Sequence, residues 1–309
     1  MFDIFQNTTR PNDDLFFKKN DANDVRLGEI VSSKIEDYAA AEIIILGCPQ
    51  DEGVRRNGGR TGSALAPDAI RTQFYKLTNF RIERAIFDAG DTIIKKTLEE
   101  THDVQTAIVK EILKAGKTII VLGGGNDISY PDGRAMAEVF GFENWLAFNI
   151  DAHFDVRADL PRNSGTPYRQ LLEEQLVKPQ NFYEIGFQEQ VNSPIYFQYL
   201  KDLKVNLSSL SEYKLSQGRI LKTAENHSKY IFCGFDIDSV RASDAPGVSA
   251  PLPVGLSGEE FIELAKFAGE NQQTKIIEFT EANPNFDIDN RTAKLVACAM
   301  HRFCTAKKS

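Results

Sequence analysis

The sequence predicts an α/β protein of three layers, in which helices cover both faces of a central, mostly parallel sheet. Two observations lead to this prediction. Short apolar runs alternate along the chain with longer amphipathic segments, and the runs are apolar throughout, as strands buried on both faces require. The 309 residues, of which 42% are hydrophobic, are enough to bury one large core.

Each predicted element follows from this alternation. The apolar runs predict strands at residues 41–47, 85–88, 118–122, 145–150, 181–185, 230–235 and 275–279. The amphipathic segments predict helices at residues 98–115, 130–140, 166–175, 257–268 and 291–302. Residues 1–40 are polar and irregular, so we expect an N-terminal extension packed on a single domain formed by residues 41–309.

Composition narrows the class of partner. A net charge of -8 and a pI near 5.2 argue against nucleic acid and anionic membranes and favour a small-molecule substrate. We expect a cytoplasmic protein, because no apolar stretch has the length of a signal peptide core or a membrane span. The four cysteines lack Cys-x-x-Cys spacing and are predicted to be small buried hydrophobic residues.

Two clusters of acidic residues directly follow predicted strands. Asp151, His153 and Asp155 follow residue 150, and Asp236 and Asp238 follow residue 235. Side chains alternate along a strand, so each cluster is predicted to face one way. Four unpaired carboxylates in one pocket would cost several kcal/mol each, which divalent cations would offset. Oxygen ligands with one imidazole suit hard or borderline divalent cations, and manganese better than a thiolate-loving metal, although zinc, iron or cobalt could use the same set.

Other polar loops are predicted at the same edge of the sheet, where sites form in open α/β sheets. They are residues 47–53, 123–127 and 280–284. The glycines at 123–125 lack the spacing of a phosphate-binding loop, which argues against a nucleotide site.

These motifs together resemble the ureohydrolase family, which includes arginase, agmatinase and formimidoylglutamase. The resemblance runs from about residue 43 to residue 299 and is carried by the segments 123–126, 151–155, 164–169, 236–238, 246–247 and 281–284. Residues 51–60 and 66–71 are most similar to formimidoylglutamases.

The resemblance implies a binuclear manganese site. Asp151 and Asp236 would bridge two ions, Asp155 would bind the first ion, and His153 and Asp238 would bind the second. A hydroxide shared by the ions would attack the amidine carbon of the substrate.

Asn126 departs from the family pattern, which has a histidine ligand for the first ion at this place. An amide oxygen is a weaker ligand than imidazole for a transition metal. Three alternatives stay open: a complete pair with weakened affinity, a single ion at the second site, or a chain without catalysis. Asp127 would be a substitute ligand only if the turn were reshaped.

Further residues are candidates for binding the substrate or moving protons. The resemblance implies that Glu281 holds the amidinium group. Tyr168 stands where arginases carry a proton-shuttling histidine, and a phenol with its ordinary pKa near 10 argues against arginase proper. Arg169 would bind a substrate carboxylate or form a structural salt bridge. The remaining candidates for substrate binding are Arg56 and Arg60, in a glycine-rich loop, and Asn163 and Ser164.

The predicted function is metal-dependent hydrolysis of a linear amidine C–N bond, with the conversion of N-formimidoyl-L-glutamate to L-glutamate and formamide as the first candidate reaction. The alternatives are an agmatinase-like or arginase-like guanidino hydrolase and a catalytically silent relative. Resemblance also implies a homo-oligomer. His102, His227 and His301 belong to no predicted metal-ligand cluster and are predicted to be surface or hydrogen-bonded structural histidines.

Overall fold

The computed structural model describes residues 2–216, 221 and 229–306. Nine strands form one sheet in the order β1-β3-β2-β4-β9-β8-β5-β6-β7. Within the described residues every neighbouring pair is parallel except β1 with β3. The strands are β1 (Thr8–Thr9), β2 (Ile43–Gly47), β3 (Ile86–Thr92), β4 (Thr118–Leu122), β5 (Trp145–Ile150), β6 (Phe182–Phe187), β7 (Asn206–Ser209), β8 (Tyr230–Asp236) and β9 (Thr274–Thr280).

Helices cover both faces of this sheet. They are α1 (Leu27–Ile30), α2 (Glu52–Arg56), α3 (Ala66–Phe74), α4 (Leu98–Lys114), α5 (Ser129–Phe140), α6 (Pro167–Glu173), α7 (Pro194–Asp202), α8 (Leu210–Ser216), α9 (Gly258–Glu270) and α10 (Arg291–Thr305). Along β2, Ile43 and Ile45 enter one apolar cluster with α3, α9 and α10, whereas Ile44 and Leu46 enter another with α4, α5 and α6. The three-layer prediction is confirmed.

Every predicted strand and helix is present, with ends shifted by up to four residues. The strands β1 and β7 were not predicted, because β1 has only two residues and β7 is the polar segment Asn-Leu-Ser-Ser at the edge of the sheet. The predicted glycine-rich loop is also partly wrong, since its first half forms the helix α2.

The N-terminal segment adds to the sheet. Thr8 and Thr9 pair with the outer edge of β3, and Phe5 packs edge-on against Tyr38 and Phe87 with ring centroids 5.4 and 6.0 Å away. The division at residue 40 stays a prediction. Across the described residues no helix is long and apolar enough to cross a membrane.

The cysteine prediction needs one correction. Three cysteines are buried, but Cys298 is exposed because it lies on the outer face of α10.

The sheet order determines where the polar loops meet. β4, β9, β8 and β5 are consecutive in the sheet and parallel, so the loops at their carboxyl ends are neighbours. Asn126, Glu281, Asp236 and Asp151 follow or end these four strands. The fold therefore brings the predicted ligands to one edge.

Candidate metal centre

The first acidic cluster converges through a turn. β5 ends at Ile150, and residues 151–155 form an irregular loop. Asp151 Oδ1 accepts a hydrogen bond from the His153 backbone N–H at 2.7 Å, and Asp155 has a positive φ of 46°. The prediction that strand alternation aligns these side chains is therefore wrong, because local side-chain-to-backbone bonding bends the chain instead.

The second cluster is built in a similar way. Asp236 ends β8, and its Oδ1 accepts a hydrogen bond from the Asp238 backbone N–H at 2.9 Å. A short 3-10 helix, Ile237–Ser239, then turns Asp238 back toward the site. Each cluster is thus anchored by an aspartate that holds the backbone two residues ahead.

The predicted ligands form two groups that share Asp151. Asp151, His153 and Asp238 form one group, Asp151, Asp155 and Asp236 form the other, and the candidate ligand atoms within each group lie within 4.8 Å of one another. His153 Nδ1 is 3.3 Å from Asp238 Oδ1 and 3.5 Å from Asp151 Oδ1. We call the group with His153 half-site two and the group with Asp155 half-site one.

The buried carboxylates of the two half-sites require a positive charge to neutralise them. Burial, and then repulsion by neighbouring carboxylates, raises the pKa of Asp155 and Asp236 well above the ordinary value. The pKa of His153 is raised to about 12, chiefly by the charge of Asp238. Asp238 Oδ1 is buried and makes no hydrogen bond. Oxygen donors and one imidazole in this arrangement fit a pair of divalent cations.

Asn126 lies at half-site one, but its nitrogen faces the carboxylates. Nδ2 donates to Asp155 Oδ2 at 2.7 Å and lies 3.4 Å from Asp151 Oδ2. Oδ1 accepts from the hydroxyls of Ser129 and Thr280, each at 3.0 Å. An amide N–H therefore stands where the family pattern has a metal-binding nitrogen.

Asp127 does not substitute for a ligand. Its Oδ2 lies 2.6 Å from Gln50 Nε2 and 2.8 Å from His102 Nε2, away from both half-sites. His102 is thus a buried, hydrogen-bonded histidine, and His301 Nε2 is 3.1 Å from the Thr78 carbonyl oxygen. His227 lies outside the described residues.

A cavity of about 420 Å³ opens above the clusters. Its walls include His153, Asp155, Asp236, Asp238 and Glu281. This volume suits a small polar molecule.

Glu281 lines the cavity and has one carboxyl oxygen engaged by the backbone. Its Oε1 accepts from the Asn126 backbone N–H at 2.7 Å, whereas Oε2 is buried and makes no hydrogen bond. Burial raises the pKa of Glu281 to about 8. A cationic amidinium in the cavity would satisfy Oε2 and stabilise the ionised carboxylate.

Two of the remaining candidates lie at the cavity or close to it. Ser164 lines the cavity, and its Oγ accepts from Asn57 Nδ2 at 3.1 Å. Asn163 is buried and supports the same turn, because its Oδ1 accepts from the Gly165 backbone N–H at 2.9 Å.

Tyr168 requires a correction. It is fully buried in the core, stacked on Phe182 with ring centroids 4.8 Å apart, and is not among the residues that line the cavity. Burial raises the pKa of its phenol well above the ordinary value. This placement argues against a proton shuttle in contact with substrate at this position.

None of the three candidate arginine side chains lines the cavity, so the substrate contacts predicted for Arg56 and Arg60 are not seen, and for Arg169 the structural salt bridge is the alternative that is present. Arg56 pairs with Glu52 at 3.0 Å and Glu99 at 2.7 Å. The other two are similarly engaged: Arg169 pairs with Glu173 and stacks on Tyr199, and Arg60 donates to the carbonyls of Val248 and Ser249 and stacks on Phe286.

The sequence argument missed Arg157, Asn192, Tyr196 and Ser249, which also line the cavity. Arg157 was detectable, because it follows Asp155 by two residues in the same loop. The other three come from loops whose approach depends on the tertiary fold.

Comparison with known proteins agrees with this geometry. Formimidoylglutamases of Staphylococcus aureus and Staphylococcus haemolyticus are 34% identical over 268 residues and 31% identical over 265 residues, covering 84% of this chain and 84% of each relative. The crystal structure of Trypanosoma cruzi formiminoglutamase with Mn²⁺₂ has a TM-score of 0.85 at 35% identity, covering 93% of this chain and 100% of that one.

An asparagine-to-histidine variant of the Trypanosoma cruzi protein, also with Mn²⁺₂, has a TM-score of 0.87 at 34% identity, with the same coverage. The Arginase family model matches residues 41–305, so the resemblance seen in the motifs is confirmed. This chain belongs to the arginase family.

Proposed function

We propose that this protein is a manganese-dependent hydrolase that converts N-formimidoyl-L-glutamate and water to L-glutamate and formamide. The observation that carries the proposal is the pair of half-sites at the base of a cavity that Glu281 also lines. The similarity to formimidoylglutamases along most of the chain supports the choice of substrate.

Two bound cations would lower the pKa of a shared water and so supply a nucleophile at neutral pH. Glu281 Oε2 would accept a hydrogen bond from the amidinium and hold its carbon over the half-sites. Asp155, a carboxylate of half-site one, would accept a proton from the attacking water and pass it to the glutamate nitrogen as the C–N bond breaks.

The position of Arg157 is evidence that the substrate is anionic. Of the cavity-lining residues in the described chain, it is the only lysine or arginine. Its side chain is 51% exposed, and Nη1 is 3.9 Å from Asp159 Oδ2, so that ion pair leaves donors available. A glutamyl carboxylate is a suitable partner, whereas the cationic agmatine would be repelled.

The test is a hydrolysis assay after equilibration with Mn²⁺, comparing N-formimidoyl-L-glutamate, agmatine and L-arginine. The proposal expects glutamate and formamide from the first substrate and at least about hundredfold lower kcat/KM for the other two. Faster hydrolysis of agmatine or arginine would establish the guanidino hydrolase alternative. Absence of any turnover in a metal-loaded protein would establish the silent relative.

Arg157→Met tests the contact with the substrate carboxylate. We expect KM to rise about tenfold to hundredfold with kcat nearly unchanged, because a charge-assisted hydrogen bond to the ground state and transition state is lost equally. Arg169→Met is the matched control, since that side chain is engaged by Glu173 and Tyr199. Equal effects of the two variants would contradict the role of Arg157.

The cytoplasmic location and the homo-oligomer stay predictions. Size-exclusion chromatography with light scattering would test the oligomer.

A further inference from the structure

Two buried hydroxyls hold the Asn126 amide from the side opposite the metal ligands. Ser129 and Thr280 are both fully buried, and each hydroxyl oxygen lies 3.0 Å from Asn126 Oδ1. Oδ1 can accept both hydroxyl protons, and Nδ2 faces Asp155 and Asp151. All hydrogen-bonding groups of this amide are therefore engaged.

The orientation of the amide follows from its neighbours. The reversed amide would place a carbonyl oxygen 2.7 Å from Asp155 Oδ2, a repulsive contact unless a cation or a proton lies between them. With a cation at half-site one the preference changes, because a carbonyl oxygen is a ligand and an amide nitrogen is not. Metal binding through Asn126 therefore requires the amide to reverse.

Each hydroxyl already has a second acceptor for its proton. Ser129 Oγ also contacts Glu278 Oε1, and Thr280 Oγ1 is 3.5 Å from the Phe235 carbonyl oxygen. When Nδ2 turns toward the hydroxyls, each hydroxyl can accept one amide N–H and redirect its own proton to that second acceptor. The same two side chains can thus satisfy the amide in both orientations.

We propose that Ser129 and Thr280 are positioning residues that let the Asn126 amide reverse, so that half-site one is stable both without a cation and with Asn126 Oδ1 bound to one. The proposal rests on the metal site of the proposed function. It assigns control of half-site one to two hydroxyls that touch neither substrate nor metal.

Removing one hydroxyl should destabilise the metal-bound state more than the metal-free state. In the metal-free state Oδ1 loses one of two donors, and a carbonyl tolerates reduced bonding. In the metal-bound state a buried amide N–H loses its acceptor, which is more costly. Thr280→Val, which keeps the shape of the side chain, should therefore weaken Mn²⁺ binding at half-site one about tenfold, the usual size of an effect on residues behind a metal ligand.

The experiment measures both Mn²⁺ dissociation constants by titration with detection of free Mn²⁺ by electron paramagnetic resonance. Asn126→Ala first identifies which binding step belongs to half-site one. We expect Thr280→Val to weaken that step and leave the other unchanged, and Thr280→Ser, which keeps the hydroxyl, to restore the wild-type constant. Thermal melting of each metal-free variant confirms that it is folded.

A double-mutant cycle distinguishes a positioning role of Thr280 toward Asn126 from a general loss of stability. In the Asn126→Ala background, Thr280→Val should have no further effect on either constant, because the amide it serves is gone. An unchanged constant in Thr280→Val, or an equal loss in both backgrounds, would overturn the proposal. If the wild-type chain binds no Mn²⁺, the proposed function fails as well, whereas two ions that are insensitive to Thr280→Val overturn this inference alone.

Discussion

Half-site one and half-site two share Asp151 but are neutralised differently in the metal-free protein. Half-site two contains His153, whose pKa near 12 gives it a positive charge against Asp238 and Asp151. Half-site one has the neutral amide of Asn126, which donates to Asp155. The difference shows that an imidazolium can take the place of a cation at one half-site and a neutral amide at the other. A metal ion would therefore displace these two groups in different steps.

Asp236→Ala should abolish metal binding at both half-sites and so remove the difference between them. Asp236 belongs to half-site one and contacts the backbone N–H of Asp238, so its loss disturbs both groups. We expect no retained Mn²⁺ and at least about a thousandfold loss of turnover. The metal-free fold should persist, because removing a carboxylate relieves repulsion.

Metal content and thermal melting check this variant. Asp236→Asn is the control for shape, and it should lose metal as well because the charge is gone. Turnover near the wild-type rate would contradict a metal-dependent mechanism.

Asn126→His should make the half-sites alike. An imidazole nitrogen needs no reversal to bind a cation and is a better ligand for manganese than an amide oxygen. We expect Mn²⁺ affinity at half-site one to rise about tenfold to hundredfold, measured by the same titration. Asn126→Ala is the matched control and should lower it. No change in either variant would mean that Asn126 does not bind the ion.

The pH dependence of the metal-free protein should reflect its raised pKa values. Glu281 titrates near 4.5 when unfolded and near 8 when folded, so its contribution to stability is complete below pH 4.5 and is lost as pH rises through 8. His153 changes from 6.5 to about 12, so its contribution is complete below pH 6.5 and declines at higher pH. Both groups make metal-free protein less stable as pH increases.

We expect the melting temperature of the metal-free protein to fall by roughly 5 °C between pH 5 and pH 9. Manganese binding must displace the proton of His153, which is a ligand of half-site two, so calorimetry in buffers of different ionisation enthalpy should detect proton release at pH 7. Binding without proton release, or stability that rises with pH over this range, would contradict the charge assignments.

Tyr168→Phe should have the smallest effect, since Tyr168 belongs to neither half-site. The phenol is buried on Phe182 and lies outside the cavity, so kcat/KM should change by less than about twofold. A steady-state assay at several pH values checks this. A tenfold loss that depends on pH would restore the proton-shuttle interpretation.

The sequence predicted the positions of the strands and of the metal-ligand clusters well. It predicted less well how the ligand side chains converge and which groups the arginines contact. Continuous apolar runs located the buried strands, and the carboxylates after β5 and β8 located the metal centre, because both signals are local. The reason for convergence was misjudged, since hydrogen bonds from Asp151 and Asp236 to backbone N–H groups, and not strand alternation, bend the loops.

Two of the misplaced arginines share a physical cause, whereas Arg169 pairs with Glu173 only four residues away. Arg56 is engaged by Glu99, 43 residues away in sequence, and Arg60 by carbonyls nearly 190 residues away, so their partners exist only in the folded chain. The orientation of the Asn126 amide likewise depends on Ser129 and Thr280, which come from different elements. Long-range pairing of this kind leaves no periodic signal in one sequence.

The inequality of the half-sites is tested most directly by counting Mn²⁺ per chain during titration in chelator-free buffer. We predict two ions per chain that bind in two steps, with dissociation constants at least about tenfold apart and the weaker step sensitive to Asn126. Two ions bound with equal affinity, or none at all, would contradict this account.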